Sequence, residues 1–135
     1  MLLTVDVGNS TIVIGVFDGD QLTHHWRLST LQERTADELA ALLAGLLHLD
    51  GLRLAAQMDG LIVGSVVPGV TETWQELADR YLEVAPVFLE PGVRTGIALR
   101  HDNPRDLGAD RIANAVAAHA LYRGPAVVVD FGTAI

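Results

Sequence analysis

The sequence contains no cysteine. Disulfide bonds, thiolate nucleophiles and cysteine-ligated metal sites are therefore excluded, and this composition suits a reducing cytosol. Five histidines leave little other material for a transition-metal site, and no two of them have the spacing typical of zinc ligands. A zinc or redox protein is thus a poor interpretation of this chain.

Positive charge is also scarce. Nine basic residues face seventeen acidic ones, so the net charge is -8 and the chain repels phosphate backbones and anionic lipid at long range. No apolar run approaches the ~18 residues that a bilayer span requires, and Asp6 interrupts the first apolar stretch too early for a secretory signal. We expect a soluble, cytoplasmic protein with no nucleic-acid partner and no membrane partner.

What the chain does have is enough apolar material for a core. Its 135 residues are 50% hydrophobic and 19% charged, which is typical of one compact domain. Apolar runs and turn residues predict strands at 2–7, 11–17, 22–29, 60–67, 86–89 and 126–130. Helical periodicity, with a capping box at Thr35 and Glu38, predicts helices at 36–48, 70–82 and 109–122. The order of elements predicts an α/β fold with a mixed sheet.

A short turn motif occurs twice, each time at the end of a predicted strand. Residues 5–10 read VDVGNS and residues 129–134 read VDFGTA. In each copy an Asp ends the strand and a Gly two residues later allows the backbone to approach a phosphate, while the carboxylate can hold a cation. One such turn is usually only a turn. Two copies favour a duplicated fold that closes on a nucleotide, as in the superfamily of sugar kinases, heat-shock ATPases and actin.

A third polar segment opens the last predicted helix. Gly108 lets a ligand approach the backbone, Asp110 lies in the first helical turn, and Arg111 offers a guanidinium to a carboxylate or phosphate. The alternative is that Asp110 only complements the helix dipole and Arg111 is solvated. The residues alone leave both interpretations open.

Four stretches together resemble the type III pantothenate kinases, which belong to the actin-like superfamily. They are Asp6 to Ser10 with 15–17, then 34–39, then 65–68, and finally 102–104 through 108–111 to 130–134. The resemblance covers the whole chain but only about the first half of the family's length. It implies an actin-like (ribonuclease H-like) domain, with an N-terminal lobe at 1–124 and the first strand and turn of a truncated second lobe at 125–135.

The resemblance also implies ATP-dependent phosphorylation of pantothenate to 4'-phosphopantothenate, the first committed step towards coenzyme A. It assigns ATP binding to Asp6, Val7, Gly8, Asn9, Ser10, Thr11, Ile12, Val13 and Thr133. It assigns pantothenate binding to His101, Gly108, Ala109, Asp110 and Arg111, with Asp110 as the general base. Asp6 would lie near Mg²⁺, Asp130 near a monovalent cation (K⁺ or NH₄⁺), and the protein would form a homodimer.

Two positions depart from the family pattern. His101 stands where the family usually has Tyr, and Ile135 stands where it usually has Thr. The chain ends about five residues after the last predicted strand, so we expect an incomplete form that lacks kinase activity by itself. The alternatives are a non-catalytic accessory member of the family and another actin-like ATPase. The presence of Asp6, Asp110 and Asp130 together favours the kinase.

Overall fold

The computed structural model describes residues 1–103 and 106–131. Within them lie five strands, β1 (Leu2–Val7), β2 (Thr11–Asp18), β3 (Gln21–Ser29), β4 (Gly60–Ser65) and β5 (Val87–Leu89). The same residues contain four α-helices, α1 (Ala36–Leu49), α2 (Leu54–Gln57), α3 (Val70–Leu77) and α4 (Ala109–Tyr122), and a π-helical turn at Ala78–Leu82 that continues α3. The strands form one mixed sheet in the order β3-β2-β1-β4-β5.

Strand β1 is the centre of this sheet. It pairs antiparallel with β2, with Val7 opposite Ile12, and parallel with β4, with Val5 opposite Val63. Because side chains alternate along a strand, these four residues lie on the same face of the sheet, and all four are buried. Asp6, between Val5 and Val7, therefore belongs to the opposite face.

Helices α1 and α3 cover the buried face. Leu39, Leu43 and Leu47 recur every fourth residue along α1 and are all buried, which forms one apolar stripe on the helix. Trp74 on α3 is fully buried in the same core. The first turn of α1 is held by the predicted capping box, in which the backbone N–H of Glu38 donates to Thr35 Oγ1 and that of Thr35 donates to the Glu38 carboxylate.

We expect Thr35→Ala to lower the free energy of unfolding by about 1 kcal/mol, because one backbone N–H of α1 loses its side-chain acceptor. Urea denaturation of the 135-residue chain measures the change. Thr71→Ala is a matched control, since Thr71 is an exposed residue in the first turn of α3 that makes no capping hydrogen bond, and its replacement should change stability by less than about 0.5 kcal/mol. Equal effects of the two substitutions would contradict a capping role for Thr35.

Helix α4 begins against the opposite face of the sheet, beside β4. A Cβ atom added to Gly64 on β4 would lie 3.4 Å from the Cβ of Ala109, so two small residues let the start of the helix approach the strand closely. Gly64 is the parallel neighbour of Asp6. This contact therefore brings the first turn of α4 over the β1 carboxylate.

The predicted strand at 126–130 is wrong. Residues 125–131 are irregular in the structure and pair with no strand among the described residues, and 91% of the Val127 surface is exposed. A run of β-branched residues fits a pleated, half-buried surface, but it forms a strand only where another strand supplies hydrogen-bond partners. The sequence pattern indicates a preference for extended backbone, but it does not show whether another strand is available for pairing.

The other predicted elements are confirmed, with boundary differences of one or two residues, and the structure adds the short helix α2, which was not predicted. The segment 90–103 contains no helix or strand. None of the helices in the described ranges combines the length and the apolar character that crossing a membrane would take.

Candidate functional site

An open cleft of about 990 Å³ lies on the face of the sheet where α4 begins. Its walls are the β1–β2 hairpin, one face of α4, and the irregular segment that follows α4. Each wall contributes one carboxylate, namely Asp6 from β1, Asp110 from α4 and Asp130 from the irregular segment. Residues that are far apart in the sequence thus meet in one place.

The hairpin is held in shape by hydrogen bonds at its base. The Gly8 N–H donates to the Thr11 carbonyl at 3.0 Å, and a Cβ atom at Gly8 would lie only 3.1 Å from that same oxygen. Asn9 and Ser10, at the tip, are exposed and line the cleft. Glycine fits this tight turn without crowding that oxygen, and the backbone N–H groups of a tight turn can bind an anionic group such as phosphate.

Thr30, which follows β3, holds the hairpin turn by two hydrogen bonds. This residue was not identified from the sequence. Its hydroxyl donates to the Gly8 carbonyl at 2.7 Å, and its N–H donates to the Ser10 carbonyl at 3.1 Å. The signal that could have found it is the antiparallel register of β2 and β3, which pairs Thr11 with Ser29 and so brings the next residue to the turn. Thr30 therefore fixes the shape of the hairpin turn without lining the cleft.

Gly108 makes room for the Asp110 carboxylate at the start of α4. A Cβ atom at Gly108 would collide with Asp110 Oδ1, which accepts the Arg111 N–H at 2.8 Å. Ser, Thr, Asp and Asn are the usual residues at the Gly108 position, before the first helical turn, because their side chains cap the helix. Here α4 has no side-chain cap, and the space is taken by a carboxylate.

The pKa of Asp6 is raised. The largest cause is partial removal of its carboxylate from water by the cleft walls, followed by repulsion from the negative charges of Asp110 and then Asp130. Three acids thus share one cleft, and Arg111 is the one guanidinium among the described residues that line it. Such an arrangement favours the approach of a cation, which would relieve the repulsion.

We expect Asp6→Asn to stabilise the folded chain at neutral pH. The folded state holds the Asp6 proton more tightly than the unfolded state, so the wild-type chain loses stability as pH rises and Asp6 ionises, whereas the amide pays no such cost. The Tm of Asp6→Asn should equal that of the wild-type chain at pH 3 and exceed it at pH 7.

Thermal unfolding between pH 3 and pH 7 tests this expectation. Asp20→Asn serves as the control, because Asp20 is an exposed turn residue whose replacement should leave the Tm unchanged. A Tm difference for Asp6→Asn that is independent of pH would contradict the electrostatic cause.

The described residues contain no group of three or more His, Asp or Glu side chains close enough to form a metal centre from protein ligands alone. Mg²⁺ in phosphoryl-transfer sites usually takes one or two carboxylates and completes its shell with water and substrate phosphates. Asp6 and Asp130, which line one cleft with unbalanced negative charge, fit such a partial ligand set for Mg²⁺ or a monovalent cation.

The structure brings most of the predicted site residues together. Those that line the cleft are Asp6, Gly8, Asn9, Ser10, Thr11, Asp110, Arg111 and Asp130. Val7 and Ile12 are buried, so their side chains serve the core, and Val13 is half-buried on the Asp6 side of the sheet. Gly108 and Ala109 do not line the cleft, but they form the start of α4, on which Asp110 lies.

His101 is not brought into the cleft. Its ring is exposed, and its Nδ1 lies 2.8 Å from the carbonyl oxygen of Asn103. The predicted contact of His101 with substrate therefore stays a prediction. Thr133, and with it the second half of the second turn motif, lies outside the described residues.

Fold and site together define an α/β protein in which a glycine-containing hairpin faces the acidic start of a helix across one cleft. A sequence model of the type III pantothenate kinases matches residues 2–135. The chain is 51% identical over 138 residues to the type III pantothenate kinase of Streptomyces griseus, which covers 99% of this chain and 52% of that relative. The type III pantothenate kinase of Moorella thermoacetica is 48% identical over 134 residues, with the same coverage of 99% and 52%.

The chain belongs to the type III pantothenate kinase family. It spans about half the length, 52%, of the curated relatives it matches. The family resemblance predicted from the four sequence stretches is thereby confirmed.

Proposed function

We propose that this chain provides the phosphate hairpin and the general base of a phosphotransferase that transfers the γ-phosphate of ATP to the primary hydroxyl of pantothenate. The product is 4'-phosphopantothenate, in the first committed step towards coenzyme A. The observation that carries the proposal is the convergence of the β1–β2 hairpin and Asp110 in one cleft of a chain from this family. The proposed fold is an actin-like lobe at 1–124, with 125–135 beginning a second one.

In this proposal the hairpin, Asn9 and Ser10 above all, receives the phosphate groups of ATP at the turn between β1 and β2. Asp110 accepts the proton of the pantothenate hydroxyl as the oxygen of that hydroxyl forms a bond to the γ-phosphorus. The bond between that phosphorus and the β,γ-bridging oxygen breaks, and ADP leaves. Phosphoryl transfer needs positioning and charge stabilisation more than covalent chemistry, so one well-placed carboxylate is a sufficient base.

In this proposal the cations of the reaction bind in the acidic cleft. Asp6 would contact a Mg²⁺ ion directly or through water, and Asp130 would hold K⁺ or NH₄⁺. Bound with the nucleotide, such cations neutralise phosphate charge. Arg111, beside the base, offers its guanidinium to the carboxylate or amide oxygen of pantothenate. The proposal further includes a homodimer in the cytoplasm.

The kinase assay requires a chain of the relatives' length. We define the extended chain as residues 1–135 followed by the second half of the Streptomyces griseus relative, which is 51% identical over the matched region. With ATP, Mg²⁺ and K⁺, ADP release from the extended chain should depend on pantothenate. If ADP were released at the same rate with and without pantothenate, the chain would be a plain ATPase. If no ADP were released in either condition, the result would favour an accessory protein.

A further inference from the structure

Asn114 lies on the face of α4 that lines the cleft, one helical turn after Asp110. It is half-buried, and its side-chain amide donates from Nδ2 to Asp130 Oδ2 at 3.3 Å. Neither the turn motifs nor the helix start includes this residue. The contact joins α4 to the irregular segment that follows it, which are two walls of the cleft.

This hydrogen bond is important for the position of the irregular segment that contains Asp130. Residues 125–131 pair with no strand in the described part of the chain and are exposed throughout. Among the described residues, the bond from Asn114 is the only side-chain hydrogen bond that reaches this segment. The place of the Asp130 carboxylate beside Asp6 and Asp110 therefore depends on Asn114 more than on the backbone around it.

The chemistry of the side chain fits that task. Asp130 lies in the same cleft as Asp6 and Asp110, so three like charges share one space, and Asp130 needs a contact that holds it there. A neutral amide donates to the carboxylate without adding negative charge. It also leaves the charge of Asp130 unneutralised, which a Lys or Arg at this position would not.

We propose that Asn114 is a positioning residue that holds the Asp130 carboxylate in the cleft, opposite Asp6 and Asp110, so that Asp130 can face the cation that accompanies phosphoryl transfer. This inference rests on the proposed function for its catalytic consequence. The hydrogen bond itself belongs to the 135-residue chain and can be tested there without any activity.

The first test is a double-mutant cycle in the extended chain. Asn114→Ala should raise the K⁺ concentration for half-maximal activity about tenfold, as is typical when the partner of a cation ligand is removed. Asp130→Ala should cost at least as much, and the double variant should be no worse than Asp130→Ala alone. Additive losses in the double variant would overturn the inference, because they would mean that Asn114 does not act through Asp130.

The isosteric variant Asn114→Asp separates positioning from packing. A fourth carboxylate in the cleft would repel Asp130, so it should lose more activity than Asn114→Ala although it keeps the shape of the side chain. If Asn114 only filled space, Asn114→Asp would keep wild-type activity and Asn114→Ala would be the worse variant. That order would also overturn the inference.

The second test needs no turnover, and it decides the inference even if the extended chain is not a kinase. In ¹⁵N-labelled residues 1–135, the side-chain amide resonances of Asn114 should shift in Asp130→Ala and stay in place in Asp20→Ala, the control at an exposed turn. Asn114 resonances that do not respond to Asp130→Ala would show that the bond is absent in solution. An inactive extended chain with responding resonances would sink the proposed function and keep the contact.

Discussion

Asp110→Asn in the extended chain is expected to lower kcat by about 10²- to 10⁴-fold, the usual range for a general base. The amide has the shape of the carboxylate but cannot take the proton of the attacking hydroxyl. Its Oδ1 can still accept the Arg111 N–H, as the carboxylate does, so the start of α4 keeps its geometry. ATP binding and Tm should therefore change little, which separates a loss of chemistry from a loss of structure.

Steady-state kinetics with saturating ATP and pantothenate measure this change, and a titration with ATP and Mg²⁺ measures binding. Asp20→Asn, an acid-to-amide change in an exposed turn, should keep wild-type kcat. If Asp110→Asn retained more than about half of the wild-type kcat, Asp110 would be a partner of the helix dipole and not a base.

Gly108→Ala is expected to damage the site without touching an ionisable group. The backbone of Gly108 is extended, with φ -62° and ψ 149°, so alanine fits the conformation without strain. Its Cβ would nevertheless collide with Asp110 Oδ1 and turn the carboxylate out of its place. A misplacement of about 1 Å can cost on the order of 10²-fold in rate, and we expect a loss in kcat of that size.

Gly45→Ala is the matched control for this substitution. Gly45 lies inside α1, and a Cβ there would meet no atom within 4 Å. The variant should keep wild-type kcat and gain about 0.5–1 kcal/mol of stability, because glycine is a poor residue in a helix interior. A Gly108→Ala variant with wild-type kcat would mean that Asp110 does not need the space beside it.

Local features of the fold could be predicted from the sequence, and long-range contacts could not. Thr35 and Glu38 lie three residues apart, so their reciprocal capping follows from sequence spacing alone. The contact of Gly64 with Ala109 joins residues 45 positions apart, and no local pattern announces it. The apolar run at 126–130 predicted a strand from its composition alone. That prediction was wrong because composition does not show whether a partner strand is available.

The candidate site shows the same division. Asp6 and Asp110 were found because each lies in a recognisable turn or helix start, and the structure places both in one cleft. Thr30 and Asn114 were missed, because a lone Thr after a strand and a lone Asn within a helix have no signal of their own. Their roles depend on which backbone oxygen or carboxylate the fold brings beside them.

The most direct test of the central claim, that this cleft transfers phosphate to an alcohol with Asp110 as the base, is ³¹P NMR of the extended chain during turnover. With ATP, Mg²⁺, K⁺ and pantothenate, a phosphomonoester resonance coupled to the methylene protons of the primary hydroxyl carbon should grow as the γ-phosphate signal falls. In Asp110→Asn the growth of that resonance should slow by about 10²-fold or more. Growth of inorganic phosphate instead, at one rate with or without pantothenate, would contradict the claim.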